Sequence, residues 1–468
     1  MQFFKKYIGD KAFYKMVLAV AVPMMIQNGI TNFVNMLDNV MVGRLGTEQM
    51  SGVSIVNQFV FIFNLLIFGA VSAAGIFTSQ YCGKGDNEGV RNTFRFKFLI
   101  NLVCTTLGVV AFIVFDEGLI NLFLHEGEST GDLALTLAYG KEYLYVTLIG
   151  LIPYSISQVY ASTMRETGDA VTPMVASVTA VLTNLAFNFI LIFGHFGAPA
   201  LGVKGAAIAT VISRFLELGI LAAWCHTHTE RFPYIKGALR SLAIPRPLFV
   251  RIAMKGLPIM ANEFLWAVAM MLRNQCYSTR GLDVVAGQNI AFTLINVINV
   301  VYMSIGTSIG IIVGNQLGAG DLERAKDTDR KVMAFSIAAS VLMGGILVGL
   351  SFLFPLMYKT TDLARNYATY MMIVSAAVTP FCAFAHSAYF TLRSGGKVMI
   401  TILFDSVFMW GLVLPLSAIL AYFTEMSIYP LFAICQATEI VKMIFGIILL
   451  RRVNWAKQLD IVADASIQ

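Results

Sequence analysis

The hexapeptide GKGDNE at residues 83–88 returns as GAGDLE at residues 318–323. The offset of 235 residues holds without a gap back to Pro23, which meets Pro258. Between those limits Met25 meets Met260, Met36 and Leu37 meet Met271 and Leu272, and Asn39 meets Asn274. Gly46, Gly52, Asn64, Gly75 and Ile76 likewise meet Gly281, Gly287, Asn299, Gly310 and Ile311. Two greasy segments resemble each other by composition alone, but a polar Gly-x-Gly-Asp-x-Glu loop does not recur at a fixed distance from a proline for that reason. The chain is read as an internal duplication, a common way of building membrane transporters. A fainter match near offset 228 lays MRETG (164–168) over LRSGG (392–396).

The medium follows from composition. Of 468 residues, 57% are hydrophobic and 13% charged, against roughly 25% charged in a soluble domain. Apolar runs of about 20 residues, enough to cross a hydrocarbon core, recur along the chain. They predict an all-α integral membrane protein of twelve transmembrane helices in two six-helix lobes, at 15–41, 53–79, 97–122, 138–163, 171–194, 203–226, 250–277, 286–313, 331–357, 367–391, 398–422 and 426–449. Runs of this length exclude a barrel of alternating strands, and a cleaved signal peptide is not expected. An even number of spans per copy makes the repeats parallel, related by an axis along the membrane normal. The expected domains are a lobe at 1–230, a basic, proline-bearing cytoplasmic linker at 231–250 along the inner leaflet, and a lobe with a short tail at 251–468.

Basic residues set the orientation. Arg44, Lys141, Lys204, Arg280, Lys359 and Arg365 fall on the outer side and Arg214 and Arg273 within spans, leaving 25 of the 33 Lys and Arg, with Lys442 at a span's rim, on the cytoplasmic side with both termini. The net charge of +6 thus reports orientation, and no nucleic-acid partner is needed to explain it. Acids gather in the outer 116–141 loop, among them Asp116, Glu117, Glu126, Glu128 and Asp132. The six cysteines show no paired spacing. CHTH at 225–228 reads as an interfacial stretch short of metal ligands. The glycine pairs lack a following Lys-Ser/Thr, so nucleotide use is not expected. Nothing resembles an enzyme's catalytic constellation, and no cofactor is expected.

An ionised carboxylate inside a bilayer must be paired, wetted or protonated. Asp38, in NFVNMLDNVMVGRLG (32–46), has only Val34, Asn35, Met41 and Val42 a helical turn away, so its partners must come from other helices. Asn184 and Asn188 project from one face of the fifth helix, and their amides could hold a carboxylate or ligate a small cation. The duplication supplies a contrast, because Asp38 overlays Arg273: NMLDN against MMLRN. The two lobes are therefore not expected to bind the same ion in the same place. Arg273 is expected either to pair with an acid or to snorkel to the outer headgroups, the latter favoured by its place near a helix end. Arg214 and Glu217, three apart, are expected to neutralise each other, and Asp405 to make an interfacial ion pair near Arg393 and Lys397.

LDNVMVGRLG at the outer end of the first helix, RETGDAVTP (165–173), NLAFNFILIFG and GVKGAAIATVISR (202–214) together resemble the multidrug and toxic compound extrusion (MATE) family. The resemblance covers nearly the whole chain. It implies a monomeric, two-lobed antiporter of the bacterial plasma membrane that exports small organic, mostly cationic and amphipathic compounds in exchange for H⁺ or Na⁺. A lipid-linked oligosaccharide flippase of the same superfamily is the alternative. By the same resemblance Asp38, Asn184, Asn188 and Thr210 form a cation site, with Na⁺ possible at Asp38, Asn184 and Asn188. Some members carry an acid where this chain has Asn188, and the ion stays open: oxygen ligands suit Na⁺, and a carboxylate that takes up a proton suits H⁺. Glu263 matches a seventh-helix position used in substrate or ion coupling, and Trp266 could add an aromatic surface for a flat cation. Tyr154, Phe264, Arg273 and His386 are the remaining cavity candidates, His386 standing where some relatives carry an acid.

Overall fold

A computed structural model describes residues 6–121, 133–358 and 360–459. Glu126, Glu128, Asp132 and Lys359 lie outside the described residues. Among the described residues there are twelve long helices and no strand. They are α1 (Lys11–Gly43), α2 (Thr47–Lys84), α3 (Asn87–Val114), α4 (Leu133–Glu166), α5 (Val171–Phe193), α6 (Gly202–Thr227), α7 (Arg246–Ser278), α8 (Leu282–Gly318), α9 (Leu322–Ser351), α10 (Asp362–Ser394), α11 (Val398–Tyr422) and α12 (Ile428–Arg452). Eleven are apolar and long enough to cross a bilayer. The twelfth, α7, is 33 residues long and carries Arg251, Lys255, Glu263 and Arg273, which lower its hydropathy without shortening it.

Several helices start earlier than hydropathy suggests. The third runs from Asn87 to Val114 instead of 97–122, and the ninth from Leu322 to Ser351 instead of 331–357. NEGVRNTFRFKF and LERAKDTDRKVM are polar but have no helix breaker, so the helix continues past the apolar run. At α9 the Asp321 carboxylate caps it, accepting from the Arg324 amide.

The chain divides into two compact units, and these are not the two halves of the sequence. Ile26–Thr78 and Asn87–Gly256 form one, and Leu257–Gln468 forms the other together with Met1–Met25 and Ser79–Asp86.

In the first unit, small residues let helices approach closely. A Cβ on Gly205 would lie 2.5 Å from the Leu191 carbonyl oxygen, and one on Gly52 would lie 2.8 Å from that of Thr136, so α5 packs on α6 and α2 on α4 with their backbones nearly touching. Arg91 and Arg95 of α3 hold the connecting segment by its carbonyls. Arg91 Nε donates to Tyr234 O (3.1 Å), and Arg95 donates to Gly237, Ala238 and Ala243 oxygens (2.9–3.1 Å). The expected linker is thus strapped to this unit by its main chain.

In the second unit the repeated loops meet reciprocally. A Cβ on Gly83 would fall 1.8 Å from Asn315 O, and one on Gly318 would fall 2.0 Å from Gln80 O. Gln80 and Asn315 stand 235 residues apart, as do Gly83 and Gly318, so the ends of α2 and α8 cross about a local two-fold relation. The tail covers this crossing: Gln458 Nε2 donates to Gly318 O (2.8 Å), and the Leu459 amide donates to Gln80 Oε1 (2.8 Å).

Candidate functional site

Four of the side chains singled out in the sequence come together in the first unit. Asn188 Nδ2 donates to Asp38 Oδ1 (2.7 Å). The Asn184 amide is satisfied when its nitrogen faces Asp38 Oδ2 (2.7 Å) and its oxygen accepts from the Thr210 hydroxyl (3.1 Å). The tight α5–α6 contact at Gly205 carries Thr210 to Asn184, and the i,i+4 spacing aims both asparagines at one carboxylate. Asn184 and Asn188 are buried and Asp38 half-buried. Among the described residues no cationic side chain lies within ion-pair distance of Asp38.

Amide donors stabilise a carboxylate but leave its charge in place, so the site keeps a net negative charge that a cation can neutralise. Asn188 Oδ1 is a buried acceptor without a hydrogen-bond partner. Together with Asp38, Asn184 and Thr210 it supplies an all-oxygen donor set fit for a hard cation.

Glu263 lies in a different setting, in the second unit. Its Oε1 accepts from the Tyr389 hydroxyl (2.8 Å) and from Arg393 (3.2 Å), and the same Arg393 nitrogen donates to Tyr389 Oη (3.0 Å). Next to it Asn262 Nδ2 donates to Asp405 Oδ2 (3.2 Å), Ser406 Oγ donates to Asn262 Oδ1 (2.6 Å), and Lys442 Nζ donates to Asp405 Oδ1 (2.8 Å). Two acids and two bases thus neutralise one another across α7, α10, α11 and α12.

The pairing corrects one expectation. Asp405 does not meet Arg393 or Lys397 at an interface: α11 widens into π-turns at Leu403–Val407 and Met409–Val413, Asp405 pairs inward with Lys442, and Arg393 is taken by Glu263. Lys442 is accordingly an interior residue, not one at a rim.

Other candidates are placed as follows. Trp266 packs with Ala269, Met270, Phe408, Met409 and Val413 in an apolar cluster, so it supports α7 against α11 and is not an open aromatic surface. Phe264 is exposed. The Arg214 guanidinium sits 4.7 Å from the Tyr154 ring centroid and pairs with Glu217 (3.2 Å). The His386 ring meets Tyr302 and Phe390 edge-on at 5.9 and 5.1 Å, and its Nε2 has no hydrogen-bond partner. Arg273 does not snorkel: it is only 7% exposed, because it lies on the α7 face that carries Ala269 and Tyr277 inward.

The CHTH residues diverge. His226 Nε2 bonds the Tyr160 hydroxyl (3.1 Å), His228 stacks on Trp224 (3.9 Å), and Cys225 lies against Tyr234 (3.8 Å).

Hydropathy also hid one buried ion pair. Lys97, counted as cytoplasmic, is fully buried in the first unit, where it donates to Ser162 (3.1 Å), Thr163 (3.2 Å) and Glu166. Its signal was a lysine inside the continuous helical run FRFKFLINLV.

A fold of this kind, long apolar helices with matched and unmatched charges in their interior, is that of a multi-pass membrane protein. The MatE family model matches residues 23–190 and 258–419, and the chain belongs to that family. The second match begins at Pro258, the repeat partner of Pro23. A probable multidrug resistance protein NorM of Thermotoga maritima is 25% identical over 424 residues, covering 88% of this chain and 87% of that protein. YoeA of Bacillus subtilis, also described as a probable multidrug resistance protein, is 22% identical over 416 residues, with 87% of each chain covered. In fold, the chain matches a crystal structure of MATE in complex with MaL6 with a TM-score of 0.84 at 18% identity, covering 96% of this chain and 98% of that one.

Proposed function

We propose that the chain is a secondary active exporter of the plasma membrane, exchanging H⁺ or Na⁺ for small organic, mostly cationic and amphipathic compounds, with both termini in the cytoplasm. The observation that carries this reading is Asp38: a carboxylate among membrane helices, held by two amides and left without a base. Binding of a cation there removes a charge that otherwise stands uncompensated in low dielectric. A conformation that shields Asp38 from water is stabilised by the cation, whereas one that wets it is much less affected, and this differential moves the equilibrium between access states. The relatives' description as multidrug resistance proteins agrees with small-molecule efflux.

The flippase alternative needs a surplus of interior positive charge. Lys97, Arg393 and Lys442 are each matched by a carboxylate, which favours the exporter.

Purified protein in liposomes loaded with a fluorescent organic cation tests the reading. Export is expected under a Na⁺ gradient or under a pH gradient, and whichever drives it names the ion. Movement at one rate with and without either gradient would refute coupled transport.

A further inference from the structure

Two ionisable side chains of the second unit remain once its ion pairs are assigned. Arg273 is 7% exposed and its Nε has no acceptor. Among the described residues no carboxylate lies within ion-pair distance of it. Glu439 is the counterpart on α12. Four residues after the buried Cys435 and seven before Gly446, which packs on Phe384 and Phe404, it lies on the inward face of the helix. It has neither hydrogen bond nor ion pair among the described residues.

The two are neighbours through α10. The Glu439 carboxylate and the Arg273 guanidinium both act electrostatically on Cys382. Glu439 also acts on Tyr302 of α8 and on Lys442, and Arg273 acts on Tyr277. One surplus acid and one surplus base therefore flank a common region, too far apart to form a bridge. Charges separated in low dielectric are poorly compensated by each other or by distant solvent. A ligand that carries a cationic and an anionic group would compensate both, whereas a plain cation would answer Glu439 and leave Arg273 opposed.

We propose that the region of the second unit between α7, α8, α10 and α12 binds zwitterionic organic compounds, the ligand's carboxylate on Arg273 and its cationic group on Glu439. The proposal rests on the reading of the chain as a carrier of organic compounds and assigns it a substrate class. Arginine suits the carboxylate because its planar fork offers paired donors, and the Tyr302 and His386 rings supply aromatic faces nearby.

The test is equilibrium binding to the full-length protein in detergent, read by fluorescence anisotropy with rhodamine B, a zwitterion, and its ethyl ester, a plain cation. It needs no gradient, so its failure is distinct from a failure of coupled export. Wild type is expected to prefer rhodamine B. Arg273→Gln should lose about tenfold in affinity for rhodamine B with the ester unchanged or improved. Arg273→Lys should keep the preference, and Glu439→Gln should weaken both ligands alike. The proposal is overturned if wild type binds the ester as tightly as rhodamine B, or if Arg273→Gln leaves the preference intact. Should Arg273→Gln not fold, a Glu439→Gln protein that binds both ligands as wild type does overturns it as well.

Discussion

Asp38 and Glu263 are both carboxylates on membrane helices, one in each unit, and their surroundings are opposite. Asp38 is met by amides and a hydroxyl, Glu263 by an arginine and a tyrosine. An acid beside a base is neutral at rest and has little to gain from an incoming cation. An acid beside neutral donors is stabilised enough to exist and remains available to one. Duplication thus supplied two helical frames, and side-chain substitution turned one into an ion site and the other into an internally compensated network. The overlay of Asp38 on Arg273 shows the same divergence at a single repeat position.

Removing one side of a matched pair should have the largest effect on stability. Arg393→Met strands the buried Glu263 carboxylate and is expected to cost about 3–5 kcal/mol, read as a large fall in Tm in detergent. Adding Glu263→Gln should recover much of that loss. A double variant no more stable than Arg393→Met would break the claim that the second unit's acid is simply compensated.

Next comes the repeated loop. Gly318→Val places a side chain where the Gln80 carbonyl lies and is expected to cost about 1–3 kcal/mol through helix displacement. Gly83→Val, its repeat partner, should cost a similar amount against Asn315. Unequal costs would mean that the reciprocal crossing is not the common cause.

Asn188→Ala removes a donor to Asp38 and should cost about 1.5–3 kcal/mol while weakening ion-driven export. A variant that loses stability but keeps the wild-type ion dependence would separate Asn188 from the site. The smallest effect is expected at Lys326, whose exposed i,i+3 pair with Glu323 is worth about 0.5 kcal/mol or less; Lys326→Ala should leave Tm unchanged within error.

Much of this was legible in the sequence, for reasons that differ by region. The twelve helices follow from apolar runs, the duplication from polar loops at constant offset, and the Asp38 cradle from an i,i+4 amide pair with a carboxylate that has no local partner. The Glu263 network was only half legible. Glu263 itself stands out, but Arg393 and Lys442 lie 130 and 37 residues from the acids they neutralise. Only the packing of α7, α10, α11 and α12 brings them there, and near helix ends they read as interfacial. Lys97 and Arg273 were misplaced for the same reason: hydropathy ranks a charged residue as wet, whereas burial is decided by the helix face it occupies. Glu439 went unremarked because its significance lies in the partners it lacks, which only packing reveals.

The most direct test of the central claim is Asp38→Asn, which preserves shape and hydrogen-bonding capacity and removes the charge. In liposomes carrying a fluorescent organic cation under the gradient that drives the wild type, the variant is expected to show no gradient-driven export while keeping the wild-type Tm. Export at the wild-type rate by a folded Asp38→Asn protein would contradict the account.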